Sequence, residues 1–407
     1  MDFSLDYTEK QESFAVEVRK WLDENLPDDL IPIRDVCKMS GDQWLKRREF
    51  TKKLGRKGWL YPGYPREYGG GGLTPEYTYV LVEELSAREM ALPPLYDMGI
   101  LASPAILAFG TEEQKQRMLP PMFKGDVITW QLFTEPEAGT DAANQQTNAL
   151  RSSREKDYFI ISGHKVFVGS FPSRPEQMYV LTRSDLDAPR HQNLSSFVIP
   201  GDLPGIKVLP LDLFTLSTFP AVSGVTGANV EGVKHSVFFD DVKVHESCLI
   251  GKEGQGWMVT NATLEVEHGG GRGGVVRKNY MAEKFLEICK TDPVISRRLK
   301  NNPELTDSVV EIYIGSQVER LLNMRNADGK GAAYGGPQLA LYSKMFGTRF
   351  VSHMARVLGP YAYTQDEKYA LAEGIFEVGQ RCGICLAPGG TPEAYKIGIS
   401  RALGIGR

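Results

Sequence analysis

LFTEPEAGTDAA, residues 132–143, marks a change of texture in the chain, and the fold is read from what lies on either side of it. Within the stretch, Thr134, Gly139 and Thr140 supply small hydroxyls and backbone amides with little bulk beside them. A planar polar ligand can approach such a turn closely, because glycine lacks a Cβ and threonine both donates and accepts. The same residues also suit a solvated turn. Upstream, from Ser4 to about Lys124, apolar positions recur at three- and four-residue spacing, as through Phe14, Val16, Val18, Trp21 and Leu22, and predict helices. GWLYPGYPREYGGGGLTPEY (58–77) interrupts them as a structured loop, since its prolines and successive glycines cannot continue a helix.

Downstream, from Val127 to about Val244, short β-rich runs follow one another: VITWQLF, YFIISGHKVFVGS, QMYVLTRS, SSFVIP and SVFFDDVKV. They predict a compact antiparallel β unit. Helical spacing returns from Gly256 and is most regular between Leu305 and Met324. The expected class is therefore α+β, with a helical unit over 1–125, a β unit over 126–245 and a second helical unit over 246–407. A doubly wound nucleotide-binding fold is excluded, because strands do not alternate with helices and no strand-linked G-x-G-x-x-G is present.

Composition narrows the function classes. At 407 residues the chain exceeds the size of one hydrophobic core, and 42% hydrophobic with 24% charged residues is ordinary globular composition. The net charge of −4, without a block of like charges, argues against nucleic acid. No apolar stretch is long enough to cross a bilayer, and the N-terminus MDFSLDYTEKQESF is too acidic for a signal peptide, so no membrane association and a cytoplasmic location are expected. The five cysteines suit a reducing compartment. Cys382 and Cys385 form a C-x-x-C pair without a second pair or histidines at ligand spacing, so no metal is expected.

Five stretches, in order, carry a family resemblance: YPREYGGGGLT (64–74), GTEEQKQRMLPPMFKGD (110–126), TEPEAGTD (134–141), FFDDVKVHESCLIGKEGQGW (238–257) and GGTPEAYKIGISRALG (389–404). Together they resemble the acyl-CoA dehydrogenase family over nearly the whole chain. The resemblance implies an all-α N-terminal domain, a β-barrel-like middle domain and a C-terminal four-helix bundle, with FAD between the last two. It also implies α,β-dehydrogenation of an acyl-CoA thioester, with electrons passed to electron-transferring flavoprotein. By position, Phe133, Thr134, Gly139 and Thr140 line the flavin, and Phe167 and Gly169 stand beside its ring. The family usually has tryptophan and then a hydroxyl residue at the latter two places. Gly169 lacks that hydroxyl, and Ser170 is the alternative donor.

The reaction needs a carboxylate to remove a weakly acidic α-proton. In the best-known relatives that glutamate precedes the G-T of the C-terminal motif, where this chain has Gly389, which cannot take a proton. The resemblance leaves Gly389 a role through its backbone amide, stabilising enolate charge. A branch similar to the isovaleryl- and long-chain-type enzymes carries the base on the first long helix of the C-terminal domain. Counting from Trp257 in GQGWMVTNATLEVEHGGGRGG (254–274) places Glu267 there. Glu265 competes, but two residues on a helix stand about 200° apart and cannot face one flavin together.

Thr391 and Glu393 fall where the family contacts the pyrophosphate or adenosine part of FAD. Arg297 and Arg298 fall where an R-x-x-F-G element clamps the FAD of a neighbouring subunit, here without the F-G. The expected assembly is a homotetramer, or a heterotetramer with a related subunit. Glycines 269–271, 273 and 274, and the small and apolar stretch 213–236, suggest a bulky, cyclic or dicarboxylic acyl group. The alternatives are an oxidase or decarboxylating relative, and a partner subunit that does not supply the base.

Overall fold

The computed structural model describes residues 7–30, 40–88, 90, 97–169, 174–211, 213, 234–267, 279–327, 333–364, 366, 368–383 and 390–405. Five helices come first: α1 (Glu9–Asn25), α2 (Gly41–Arg56), α3 (Pro75–Ala87), α4 (Gly99–Phe109) and α5 (Glu112–Phe123). Their starts follow local chemistry. Thr8 and Gln11 form a reciprocal capping box at α1, and Thr111 and Gln114 do the same at α5. Gln114 goes further, because its side-chain amide also donates to the carbonyls of Ser247 (3.0 Å) and Leu249 (2.7 Å), tying α5 to the end of the β unit.

The strands are β1 (Thr129–Leu132), β2 (Asn148–Arg151), β3 (Tyr158–Val168), β4 (Gln177–Arg183), β5 (Leu194–Pro200), β6 (Ile206–Leu211), β7 (Lys234–His245) and β8 (Leu249–Ile250). They make one sheet in the order β6-β7-β3-β2-β4-β5-β8, with β1 on β4. The expectation of a wholly antiparallel unit is corrected here: β1 runs parallel to β4, and β2 meets β4 in parallel at Asn148 and Arg183. The chain leaves β1 through the 133–147 turn and completes β2 and β3 before β4 returns in the direction of β1. Parallel partners need such a long excursion, and local alternation does not report it.

Helices then resume as α6 (Gly256–Glu267), α7 (Tyr280–Thr291), α8 (Pro293–Asn301), α9 (Pro303–Ala327), α10 (Gly335–Leu358), α11 (Ile375–Gly383) and α12 (Pro392–Ala402). The fold is α+β, with N-terminal helices, a central sheet and C-terminal helices. Strand alternation sorts side chains between two cores. Trp130, Leu132, Met178 and Val180 enter a core enclosed by the sheet, together with Phe159 and Phe197. Phe133, Tyr179 and Leu181 point the other way, into a core shared with α3, α4 and α5. A third core joins Phe285, Phe350, Met354 and Phe376 of the C-terminal helices.

Candidate active site

The second face of β1 is where the site begins. α6 packs beside it on α4, β4 and β5, with Gly256, Val259, Thr260 and Thr263 buried along one face. The Thr263 hydroxyl donates to the Leu101 carbonyl of α4 (2.8 Å) and accepts from the Tyr179 phenol of β4 (3.2 Å), so one side chain joins two helices to the sheet. At the start of α6, Trp257 stacks on His191 of the β4–β5 loop, with ring centroids 4.5 Å apart.

This docking sets the direction of the two competing glutamates. Glu267 continues the inner face one turn beyond Thr263, and its carboxylate accepts from the Gln131 side-chain amide on β1 at 3.3 Å. Glu265 is exposed and turns to a cavity of about 550 Å³ on another side of α6, lined by Tyr64, Tyr68, Leu107 and Val266 among others. The field of Glu267 reaches two further groups. Burial pushes the Lys234 ammonium below its ordinary value while the carboxylate opposes that shift. Burial and then the same carboxylate push the Tyr395 phenol up to about 12.

The turn quoted at the outset closes the site on one side. Phe133 is buried edge-on against Tyr179, so its ring belongs to the core and its backbone faces the turn. The hydroxyls of Thr134 and Thr140 have no protein partner among the described residues, and nothing lies within 4 Å of a Cβ built on Gly139. Asp141 pairs with Arg190, fastening the turn to the β4–β5 loop.

The opposite wall is a bulge in β3. Lys165 pairs with Val237 and Val168 with His235, so β3 carries one residue more than β7 between them. Phe167 sits in that bulge with φ 57°, and the residue is 54% exposed, which removes it from strand packing. Gly169 follows with φ 80°. A Cβ there would lie 2.6 Å from the Trp130 indole, so the place a hydroxyl residue would take is filled from β1. The Gly169 carbonyl accepts from the Lys234 ammonium at 2.6 Å. Open space at Gly139, uncommitted threonine hydroxyls and an exposed aromatic ring suit a flat, hydrogen-bonding isoalloxazine.

The remaining sequence candidates lie apart or outside. Thr391 caps α12, accepting from the Ala394 amide at 3.3 Å, and Glu393 is exposed beside Lys396. Arg298 donates to the Arg356 carbonyl at the end of α10 (3.2 Å) and does not join the cluster within this chain. Gly389, Ser170, His268, the glycines at 269–274 and positions 214–233 lie outside the described residues. Gln131, Lys165 and Lys234 were not anticipated. A lysine in phase with Phe159 and Ile161 on β3 was the available signal, because charge on an inward strand position is rare unless paired.

Residues 8–126 match the family pattern for the acyl-CoA dehydrogenase N-terminal domain and residues 131–218 that for its middle domain, together just over half the chain. The chain belongs to the acyl-CoA dehydrogenase family. It is 29% identical over 304 residues to acyl-CoA dehydrogenase IpdE1 of Mycolicibacterium smegmatis, covering 71% of this chain and 74% of that protein. Among solved structures it is similar to the ChsE4-ChsE5 complex from Mycobacterium tuberculosis (TM-score 0.80, 23% identity) and to the Tcur3481-Tcur3483 steroid ACAD (TM-score 0.78, 24% identity), each over 100% of both chains. As an acyl-CoA dehydrogenase it is an FAD-dependent oxidoreductase. No helix among the described residues is long and apolar enough to cross a membrane, and no cluster of three or more histidine, cysteine or acidic side chains is placed to hold a metal.

Proposed function

We propose that this acyl-CoA dehydrogenase uses Glu267 to remove the α-proton of a coenzyme A thioester whose acyl group is bulky and polycyclic, of the steroid-derived class. The observation that carries the reading is the direction of α6, which aims Glu267 at Gln131 on β1 while Glu265 faces away. The Gln131 amide holds one oxygen of the carboxylate and leaves the other for the substrate proton. FAD bound there would supply the acceptor for the hydride of the β-carbon. Thr134, Thr140, Phe167 and Gly169 would hold the flavin, and the Gly389 amide would stabilise enolate charge. Thr391, Glu393 and Arg298 would contact the outer parts of FAD, Arg298 across a subunit boundary.

The steroid class is supported by the similarity to a structure titled as a steroid ACAD and by the glycine-rich segment after the base. Similarity to a two-component complex and the absent F-G after Arg298 support assembly with a related subunit. Electrons then pass to electron-transferring flavoprotein in the cytoplasm. Anaerobic bleaching of the flavin absorbance by a panel of acyl-CoA thioesters tests the reading. A steroid side-chain thioester should bleach the purified protein faster than butyryl- or octanoyl-CoA. Glu267→Gln should keep its flavin spectrum and bleach about 10²–10⁴-fold more slowly. Near-normal bleaching by that variant would remove Glu267 as the base, and preference for short linear chains would remove the acyl class.

A further inference from the structure

Lys165 is a fully buried lysine, and the chemistry proposed above gives it no part. Its ammonium has three N–H groups and meets three oxygens: Glu135 Oε1 at 2.7 Å, the Leu181 carbonyl at 2.6 Å and Gln145 Oε1. The Phe133 carbonyl lies further off, at 3.5 Å. Two of the three acceptors, Glu135 and Gln145, lead back to the candidate flavin turn, and the third ties Lys165 to β4. Glu135 Oε1 also accepts from the Thr147 amide (3.0 Å) and Oε2 from the Gln146 amide (2.6 Å). Gln145 Nε2 donates to the carbonyls of Phe133 (3.0 Å) and Ala142 (2.9 Å), the two ends of the turn. The Val166 amide, next to Lys165, donates to Thr134 at 2.9 Å.

The network therefore fixes both walls of the site from behind. One wall is the 133–142 turn and the other is β3, where Phe167 lies two residues beyond Lys165. We infer that Lys165 and Glu135 are positioning residues for the cofactor, a buried ion pair that holds the flavin turn at a set distance from the bulge bearing Phe167. They act through Thr134, Gly139, Thr140 and Phe167 and do not themselves reach the ligand. This inference rests on the reading of those four residues as the flavin site.

Protonation tests the device. Burial pushes the Lys165 ammonium down to about 8, opposed by Glu135, the one charged group among the described residues that bears on it. Its other neighbours are neutral: the Gln145 amide and the carbonyls of Leu181 and Phe133. Above that pH the neutral amine has two N–H groups for three oxygens, and the turn loses one of its ties. Glu135 stays ionised throughout, since Lys165 and two backbone amides outweigh burial and hold its carboxyl below the ordinary range.

The experiment is titration of FAD into the full-length apoprotein from pH 7 to pH 9.5, followed by flavin fluorescence, with circular dichroism and thermal melting as folding controls. Wild-type affinity should fall about tenfold or more between pH 7.5 and pH 9. Lys165→Met combined with Glu135→Gln keeps the interior uncharged. It should fold, bind FAD at least tenfold more weakly at pH 7 and show no such pH dependence. A folded double variant with wild-type affinity, or a flat wild-type profile, overturns the inference while leaving the flavin site itself intact. Failure of the wild type to bind FAD at pH 7 would remove the flavin-site reading and the inference with it.

Discussion

Gly169→Ser puts a hydroxyl where the family resemblance leads one to expect it, and the structure opposes that side chain. Two costs add. The backbone at Gly169 has φ 80°, where a side chain costs about 1–2 kcal/mol. The new Cβ would also lie 2.6–2.8 Å from three atoms of the Trp130 ring, and overpacking of this kind costs about 1–3 kcal/mol. Trp130 has no room to yield, because it is fully buried and stacked on His235 at 4.7 Å. The sum is about 2–5 kcal/mol, measurable as a lower urea midpoint with unchanged slope. Trp130→Ala empties the space, so in that background Gly169→Ser should cost only the backbone part. The double-mutant cycle should then show a coupling of about 1–3 kcal/mol. A Gly169→Ser protein within ~0.5 kcal/mol of wild type, or a strictly additive cycle, would refute the account of Gly169 as a place filled from β1.

Phe167→Ala should leave the urea midpoint within about 0.5 kcal/mol, since the ring is half exposed, yet weaken FAD binding roughly 3–10-fold through loss of an aromatic contact; unchanged affinity by fluorescence titration would remove the ring from the site. Asp97 lies between α4 and β1, accepting from the amides of Gly99 and Thr129 and from the Tyr61 phenol. Burial pushes its carboxyl up to about 6, so the folded chain keeps a proton that the unfolded chain releases near pH 4, and stability falls as pH rises through that window by at most about 3 kcal/mol. Asp97→Asn keeps the two amide bonds, should abolish that slope and should raise the urea midpoint at pH 7; an unaltered difference between midpoints at pH 4.5 and pH 7 would refute it.

The fold was largely legible because its signals are local. Helical spacing around Trp21 and the β-rich runs after Val127 each depend on residues a few positions apart. The parallel pairing of β1 with β4 was not legible, since it depends on where the chain returns after two strands. Family register pointed to Glu267, but the packing face of α6 carries Thr260 and Thr263, so an apolar pattern does not reveal which side is inward.

The sequence by itself determined the α–β–α order, the acyl-CoA dehydrogenase family and the absence of an ionisable side chain at Gly389. Those follow from residue types and their spacing along the chain. Only the tertiary structure decided that Glu267 meets Gln131, that Trp130 fills the place beside Gly169, and that Lys165 is bound by three oxygens behind the 133–142 turn. Each of these joins residues at least 16 positions apart, and the physical quantities that settle them are distance, burial and the volume left between side chains.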